Sequence, residues 1–435
     1  MMLKRKIIND LIKWKNNKEK KPLIVEGARQ VGKTYIIEKF AKENYSSFLE
    51  INFLKRPDLN SIFEGNLEPS EIYSRINLRI PEFVLKPHET LIFLDEIQKC
   101  PEAITALKFL AEDGSYDIIC SGSILGIGYA RASSFPVGYV ERLNMYPLDF
   151  EEFLWAMGMK EESISYIKTF FDNKKQIDDG LHTSMMDYFK NYIVIGGMPE
   201  VVEKFIDGKN YQEAFSKQRE IIEDYREDIV KYAEKDEKSK IRACFDSIPK
   251  QLAKENKKFQ YKLVEPKATY EKYYGALQWL ADAGVISFCY NISKPELPLE
   301  GFARQEIFKV YMNDTGLLIS MLGDNEIPAK IMSGDLGIYK GAIYENIIAQ
   351  IFTSQGRKLY YFNYNGTLEI DFFISYKGNA TAIEVKAADN TKSKSLDSVI
   401  KNWGVKQGIK LSSKNLGSTK EHIENIPLYM SIFLK

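Results

Sequence analysis

The feature that most constrains the fold of this chain is a glycine-bounded loop near its amino terminus. The loop fits the pattern G-x-x-x-x-G-K-[ST] at every fixed position and reads Gly27-Ala28-Arg29-Gln30-Val31-Gly32-Lys33-Thr34. A short β-rich run, Pro22 to Glu26, precedes it, and an amphipathic pattern from Lys33 through Phe40 follows it. The order strand, loop, helix predicts the opening unit of a parallel α/β sheet.

This loop predicts a binding site for the phosphates of a nucleotide. Its glycines allow several backbone N–H groups to turn inward, at the positive end of the following helix. Lys33 would reach the β- and γ-phosphates, and the Thr34 hydroxyl would hold Mg²⁺. We expect the cofactor-binding residues to run from Gly27 through Tyr35. The loop itself does not distinguish adenine from guanine.

A second apolar run supplies the acidic residues that this chemistry needs. Leu91 to Leu94 suits a strand buried on both faces of a parallel sheet, and Asp95 and Glu96 follow it. Ligands bind at the carboxyl ends of such strands, so Asp95 is expected to share Mg²⁺ with Thr34. Glu96 would act as the general base that polarises an attacking water.

A third apolar run, Ile118 to Cys120, is followed by Ser121-Gly122-Ser123. These polar residues would either sense the γ-phosphate or form a simple turn after the strand. Arg131 and Arg142 lie downstream and are candidates for an arginine finger, which would add positive charge during phosphate cleavage.

Composition excludes several other classes of protein. Sixty basic and sixty acidic residues give a formal net charge of +0, so binding to nucleic acid or to an anionic membrane must come from a local patch. No apolar run approaches the roughly 18 residues of a bilayer span, so we expect a cytoplasmic chain that does not enter a membrane. The four cysteines are widely spaced, which favours buried thiols over disulfides or a zinc cluster.

The last hundred residues carry a second group of charged positions. A predicted helix over Tyr339 to Ser354 bears Glu345, and three predicted strands follow, with a hairpin turn at Asn365-Gly366. Glu384 and Lys386 lie two apart in the third strand and share a face, where Asp371 of the neighbouring strand would meet them.

This arrangement resembles the PD-(D/E)xK nuclease superfamily. The resemblance implies that Glu345, Asp371 and Glu384 bind Mg²⁺, and that Asp371, Glu384 and Lys386 are catalytic. Exposed charges on a sheet face are the alternative interpretation. A site that keeps this geometry without cleaving DNA is a further one.

The middle of the chain predicts helices over residues 151 to 240 and a small winged-helix-like unit over residues 241 to 300. One basic stretch with interleaved aromatic residues would contact DNA phosphates or simply be exposed. It comprises Lys254, Lys257, Lys258, Phe259, Tyr261, Lys262 and Lys267.

Several segments together resemble prokaryotic AAA-type ATPases that carry a carboxy-terminal domain of uncharacterised function with a restriction-endonuclease-like fold. Besides the phosphate loop and Leu94-Asp95-Glu96, they are Ser121-Gly122-Ser123, Tyr146 to Leu154, Gly196-Gly197-Met198-Pro199 and Tyr311 to Leu318. The chain departs from the group at Gly138-Tyr139, where many members have Gly-Arg.

The resemblance implies ATP as the nucleotide and four parts. These are an α/β ATPase core over residues 1–155, a helical lid over 156–240, a winged-helix-like segment over 241–335 and a nuclease-like α/β domain over 336–435. Our first hypothesis is an Mg²⁺-dependent ATPase coupled to a nuclease-like domain that acts on DNA. The alternatives are a nucleotide-gated switch that binds DNA or a protein without cutting, and a slow signalling ATPase. Assembly into a homo-oligomer stays open.

Overall fold

A computed structural model describes residues 3–122, 136–233, 235–254, 257–323, 326–333, 340–386, 393–420 and 422–435. The chain divides into two compact units. The amino-terminal unit comprises Arg5–Tyr146 with Asp282–Gly284. The carboxy-terminal unit comprises Pro147–Ala281 and Val285–Lys435, together with the first residues up to Lys4.

The amino-terminal unit alternates strands and helices, as its sequence predicted. Its helices are α1 (Ile7–Asn16), α2 (Lys33–Asn44), α3 (Pro69–Arg79) and α4 (Pro101–Asp113). Its strands are β1 (Leu23–Glu26), β2 (Ser47–Asn52), β3 (Thr90–Asp95), β4 (Asp117–Ser121) and β5 (Glu141–Asn144). Short 3-10 helices span Pro57–Phe63 and Ile97–Lys99.

The described strands of this unit form one parallel sheet in the order β2-β3-β4-β1-β5. Side chains of β1, β3 and β4, such as Ile24, Leu94 and Cys120, are buried in one apolar core with α4. Because β4 lies between β1 and β3, the carboxyl ends of these three strands are adjacent. The predicted parallel α/β fold is confirmed for this unit.

The carboxy-terminal unit begins with helices and ends in a mixed sheet. Its helices are α5 (Phe150–Ala156), α6 (Glu161–Asp172), α7 (Asp179–Ile195), α8 (Pro199–Gly208), α9 (Tyr211–Tyr232), α10 (Lys238–Leu252), α11 (Tyr270–Asp282), α12 (Thr315–Leu322), α13 (Ile327–Ser333), α14 (Lys340–Ser354) and α15 (Lys394–Trp403). Its strands are β6 (Ile286–Ile292), β7 (Ala303–Met312), β8 (Leu359–Tyr364), β9 (Leu368–Tyr376), β10 (Asn379–Val385), β11 (Gly408–Ser412), β12 (Gly417–Lys420) and β13 (Ile423–Pro427). Its 3-10 helices span Tyr261–Leu263, Leu299–Phe302 and Leu428–Phe433.

The strands described in this unit form a single sheet in the order β12-β13-β11-β10-β9-β8-β6-β7. The β6–β7 hairpin belongs to the segment that the sequence predicts as winged-helix-like. In the structure, β6 pairs in parallel with β8, which aligns Cys289 with Leu359. The backbone hydrogen bonds of one sheet therefore join the middle segment to the last hundred residues. The turn predicted at Asn365-Gly366 links β8 to β9, with φ of 49° and 74°.

Three of the sequence segments that carry the resemblance meet in the carboxy-terminal unit. We call Leu148, Gly196, Gly197, Asp314 and Gly316 the glycine junction. The N–H of Gly197 donates to Asp314 Oδ2 at 2.6 Å, and the carbonyl of Gly197 accepts from the N–H of Leu148 at 2.6 Å. A Cβ atom at Gly197 would lie 2.1 Å from the carbonyl oxygen of Leu148. Backbone contact, rather than ligand binding, explains glycine at this position.

Substitution of Gly197 by alanine is expected to destabilise the carboxy-terminal unit by about 2–4 kcal/mol, since the new methyl group meets backbone that hydrogen bonds hold on both sides. Gly275 is the matched control, because it lies within helix α11 with no other atom within 4 Å of an added Cβ. Gly275→Ala should leave stability unchanged or raise it. Thermal unfolding of both variants measures the difference, and equal midpoints would contradict the packing described here.

One further expectation from composition, that of buried thiols, is confirmed. All four cysteines, Cys100, Cys120, Cys244 and Cys289, are buried free thiols. Among the helices that the structure describes, none is long and apolar enough to cross a membrane.

Candidate functional site

The phosphate loop joins β1 to α2 through backbone conformations that favour glycine. Gly27 has φ of 155°, and a Cβ atom there would lie 2.2 Å from the carbonyl oxygen of Met145. Gly32 has φ of 91° and precedes the first residue of α2 without a side chain that could cap it. The first N–H groups of α2 are therefore not blocked by a cap, which is the geometry that binds anions at helix amino termini.

Lys33 lies over the loop. Its ammonium group donates to the carbonyl oxygens of Gly27 at 3.0 Å and Ala28 at 2.8 Å. Burial lowers the pKa of Lys33 to about 8, against the opposing charges of Glu96 and Asp95. The cation is thus placed at the loop and is close enough to both acidic residues to be influenced by them.

Thr34 and Asp95 come together although 60 residues separate them in the chain. The Thr34 hydroxyl lies 3.2 Å from Asp95 Oδ2 and 3.3 Å from Oδ1. Asp95 is 2% exposed and also accepts hydrogen bonds from the side chains of Ser121 and Asn52, the latter at 2.7 Å. A hydroxyl beside a fixed carboxylate supplies the hard oxygen ligands that Mg²⁺ prefers, so these residues fit the expected ion.

Glu96 follows Asp95 in a left-handed conformation, with φ of 54° and ψ of 43°. Such conformations are uncommon for residues other than glycine and concentrate at functional sites. The N–H of Glu96 donates to Asp95 Oδ1 at 3.1 Å, and Gln98 Nε2 donates to Glu96 Oε2 at 2.5 Å. The turn therefore points the side chains of Asp95 and Glu96 in different directions, although the two residues are consecutive in sequence.

The other predicted residues of this site differ in their surroundings. Ala28 and Val31 are buried, Arg29 and Gln30 are partly exposed, and the Tyr35 side chain is 53% exposed. Tyr35 is therefore expected to act through its backbone N–H. Ser123 and Arg131 lie outside the described residues.

Arg142 lies on β5, and its guanidinium donates to Glu26 Oε1 at 2.9 Å. Glu26 is the last residue of β1 and is buried, which raises its pKa despite the nearby guanidinium. Arg142 therefore bridges β1 and the neighbouring edge strand β5. This contact gives Arg142 a structural role that its sequence position did not indicate.

Two residues of the candidate nucleotide site were missed by the sequence analysis. Asn52 ends β2 and, besides its bond to Asp95, accepts from the N–H groups of Leu54 and Lys55 through Oδ1. Gly284 has φ of 73°, and a Cβ there would lie 3.0 Å from the backbone nitrogen of Ala28. Asn52 could have been found from the sequence, because it is a polar residue at the end of a strand that neighbours β3. Gly284 could not, because it lies more than 200 residues from the loop in sequence.

The carboxylates predicted for the second site lie on α14, β9 and β10. The N–H of Val385 donates to Asp371 Oδ2 at 2.8 Å, and Lys386 Nζ lies 2.7 Å from Glu384 Oε1. Burial and the charge of Glu345 raise the pKa of Asp371 to about 7. The structure thus brings Glu345, Asp371, Glu384 and Lys386 into one electrostatically connected region.

Glu345 has cationic partners that the sequence analysis did not foresee. Its carboxylate accepts a hydrogen bond from Lys257, and a second hydrogen bond from the Tyr311 hydroxyl at 3.1 Å. Lys309 Nζ lies 3.7 Å from Glu345 Oε2. Burial alone would raise the pKa of Glu345, but the two lysines outweigh burial and hold the pKa below its usual value.

These contacts bear on the metal site that the sequence predicts. Across the ranges that the structure describes, no group of three or more His, Cys, Asp or Glu side chains is arranged to hold a metal ion. As they are placed here, Glu345, Asp371 and Glu384 do not fit a shared Mg²⁺.

The titration of Lys33 gives a testable pH dependence. Below about pH 8 the lysine of the free protein is charged, and the affinity for ATP should be constant. Above this pH, binding must restore a proton, so Kd should rise by at most about tenfold per pH unit. Calorimetry between about pH 6.5 and 9.5 measures this rise, with Lys33→Arg as the control that stays charged. A flat profile for the natural chain would contradict the role of the Lys33 charge.

Different parts of the chain are similar to different known domain families. Residues 19–154 match the family model of an AAA domain, a span that includes the phosphate loop, Asp95 and Glu96. Residues 186–327 match a domain of unknown function, DUF8612, and residues 340–429 match another, DUF4143. No curated protein matches the chain. The amino-terminal unit is therefore similar to AAA domains, as its motifs predicted, whereas the matches to the later segments assign no activity.

Several solved structures share only distant similarity with the chain. A Walker-type ATPase of Pyrococcus abyssi is 11% identical, with a TM-score of 0.43, and the match covers 74% of this chain and 96% of the other. The Aeropyrum pernix Orc1 protein in complex with DNA is 12% identical, with a TM-score of 0.32 and coverage of 76% and 95%. The Saccharomyces cerevisiae Hsp104–ADP complex is 12% identical, with a TM-score of 0.30 and coverage of 82% and 44%.

Proposed function

We propose that the amino-terminal unit binds ATP with Mg²⁺ and hydrolyses it. The observation that carries this proposal is the placement of the Thr34 hydroxyl 3.2 Å from Asp95, beside an uncapped helix amino terminus and the Lys33 ammonium. A phosphate loop needs these three elements together to bind a triphosphate and its metal ion. The match of residues 19–154 to AAA domains supports the same activity.

Each residue of this site then has a defined task. The backbone N–H groups of the loop, from Gly27 to Tyr35, and the ammonium of Lys33 hold the phosphates. Thr34 and Asp95 hold the metal ion, which when bound would neutralise the charge of the β- and γ-phosphates. Glu96 accepts a proton from the attacking water. Asn52 and Ser121 are positioning residues, because they fix the carboxylate of Asp95 by hydrogen bonds.

For the carboxy-terminal unit we propose that it binds DNA or a protein partner without cutting it, under the control of the nucleotide. The geometry of Glu345 favours this over the nuclease hypothesis, because two lysines neutralise the carboxylate that a metal-dependent nuclease would need. In the nuclease hypothesis, Asp371, Glu384 and Lys386 would be catalytic and Glu345 would complete the metal ligands.

Only some of the side chains in residues 254–267 that the sequence predicted to contact DNA are exposed. Lys254, Lys258, Lys262 and Lys267 are exposed. In contrast, Phe259 is buried and stacks on Phe308, with ring centroids 5.8 Å apart. The ammonium group of Lys257 forms an ion pair with Glu345. Phosphate contacts by the exposed lysines are therefore proposed, and base stacking on Phe259 is not.

One experiment separates these possibilities. ATP turnover and metal-dependent nicking of supercoiled plasmid are measured on the same preparations of the natural chain, Glu96→Gln and Asp371→Asn. We expect turnover in the natural chain and in Asp371→Asn, loss of turnover in Glu96→Gln, and no nicking in any of them.

Other outcomes of this experiment are equally informative. Nicking by the natural chain that Asp371→Asn abolishes would establish the nuclease hypothesis instead. Turnover that DNA does not change would remove the case for coupling to DNA and favour a protein partner or a slow signalling ATPase. Mass measurements with and without ATP, on the same samples, test for a homo-oligomer.

A further inference from the structure

The carboxy-terminal unit contains a cluster of charged side chains that the ATPase chemistry does not use. We call it the lysine–carboxylate cluster. Its acidic members are Glu345, Glu369, Asp371 and Glu384, and its basic members are Lys257, Lys309 and Lys386. The acidic members belong to α14, β9 and β10, whereas Lys257 and Lys309 come from the middle segment. The cluster therefore joins two stretches of chain that match different domain families.

Lys309 is the most enclosed member. It lies on β7 and is 0% exposed, with Nζ 2.6 Å from Glu369 Oε1 and 3.7 Å from Glu345 Oε2. The same ammonium lies 4.7 Å from the ring centroid of Tyr361. An ammonium so far from water persists only where carboxylates compensate it, and removal of either partner leaves the other charge buried.

Lys257 reaches the cluster from the segment that follows α10. Its side chain is 14% exposed and bonds to Glu345 Oε1, while Lys309 lies on the side of Oε2. The two oxygens of Glu345 are thus each directed at a different ammonium group. A divalent cation at Glu345 would have to compete with two positive charges that are built into the fold.

Three of the four carboxylates of the cluster are paired with ammonium groups. Three ammonium groups face three carboxylates, Glu345, Glu369 and Glu384, that lie within 4 Å of one of them. The fourth carboxylate, Asp371, accepts a hydrogen bond from the backbone N–H of Val385 at 2.8 Å. A divalent cation at Glu345 would lie close to the ammonium groups of Lys257 and Lys309, whose charges repel it.

If a cation did bind in the cluster, we would expect it at Oε2 of Glu384. Glu384 is 5% exposed, and its Oε2 has no hydrogen-bond partner among the residues that the structure describes. The other oxygen of Glu384 is held by Lys386 at 2.7 Å. Any metal binding in this region should therefore depend on Glu384 and on the neighbouring Asp371.

We propose that Lys257 and Lys309 take the place that a divalent cation would occupy among these carboxylates. The cluster is then a metal-independent ion network that fastens the middle segment to the carboxy-terminal sheet. This inference refines our proposal that the carboxy-terminal unit binds without cutting. It does not depend on ATP hydrolysis, and its metal count is made in a chain in which Asp95→Asn removes the carboxylate of the other proposed metal site.

The first test counts metal ions. Full-length protein carrying Asp95→Asn is titrated with Mn²⁺ and followed by electron paramagnetic resonance, and its thermal unfolding is recorded in EDTA, Mg²⁺ and Mn²⁺. We expect no stoichiometric Mn²⁺ and the same midpoint in all three solutions. One Mn²⁺ per chain that disappears on adding Asp371→Asn or Glu384→Gln would overturn the proposal.

The second test measures the coupling between the charges. Lys309→Met should lower the thermal midpoint, because Glu369 and Glu345 lose a buried partner. Adding Glu369→Gln should recover part of that loss, so the two substitutions are not additive. Should Lys309→Met fail to fold, Lys257→Ala with Glu345→Gln gives the same cycle at the edge of the cluster.

The matched control is the exposed pair Lys358–Glu300, whose side chains are 68% and 65% exposed in the same unit. Exposed ion pairs contribute little to stability, so Lys358→Ala and Glu300→Gln should be additive and nearly neutral. Additive effects in the cluster itself would contradict the proposed network. ATP turnover of the cluster variants, measured without Asp95→Asn, should be unchanged, which distinguishes failure of this inference from failure of the ATPase proposal.

Discussion

Lys33→Ala is expected to remove measurable ATP binding while leaving the fold intact. The Lys33 ammonium lies over the loop, 2.8 Å from the carbonyl oxygen of Ala28. If it forms two charge-assisted hydrogen bonds to phosphate oxygens, their loss is worth about 3–6 kcal/mol, or about two to four orders of magnitude in Kd. Calorimetric titration with Mg²⁺ and ATP measures the loss.

The control for this prediction is Lys42→Ala on the same helix. Lys42 is exposed and pairs only with Glu38, at 3.0 Å, among the contacts that the structure describes. Its removal should change neither affinity nor the unfolding midpoint. Near-normal ATP binding by Lys33→Ala would mean that the phosphate loop is not the nucleotide site.

Glu96→Gln is expected to keep ATP binding and to lower turnover by about 10²- to 10⁴-fold, the usual contribution of a general base. Glutamine preserves the shape and can keep the left-handed backbone, and the hydrogen bond from the Glu96 N–H to Asp95 does not involve the side chain. Phosphate release under saturating ATP measures turnover, and calorimetry verifies binding. The two readouts together separate a chemical defect from a binding defect.

Glu102→Gln is the matched control, since Glu102 is an exposed carboxylate in the first turn of the next helix. It should leave turnover unchanged. If Glu96→Gln turns over ATP at the natural rate, the base is another residue and the assignment of Glu96 fails.

The sequence predicted the amino-terminal unit well because its information is local. The spacing of Gly27, Gly32 and Lys33 specifies the loop within eight residues, and the apolar run before Asp95 specifies a buried strand. The hairpin at Asn365-Gly366 was predictable for the same reason, since both residues adopt positive φ in the turn. The sheet order β2-β3-β4-β1-β5 was not, because strand neighbours depend on contacts across long stretches of chain.

The residues that sequence analysis missed act over long distances. Lys257 lies 88 residues before Glu345 and shares a basic stretch with Lys254 and Lys258, so it could not be told apart from an exposed basic run. Lys309 lies in the buried second half of β7, among apolar residues. A lysine in a strand normally predicts a side chain on the solvent-exposed face of a sheet. Only the structure shows that β7 places this lysine among the carboxylates.

The pairing of β6 with β8 has a practical consequence for how the protein can be divided. A fragment that starts at residue 336, where the last sequence-predicted part begins, would lack the strand that borders β8. Its open backbone edge would be free to pair with another chain, which favours aggregation or strand exchange. A separately expressed fragment should therefore begin before β6. A fragment that begins at the sequence-predicted boundary would divide the sheet.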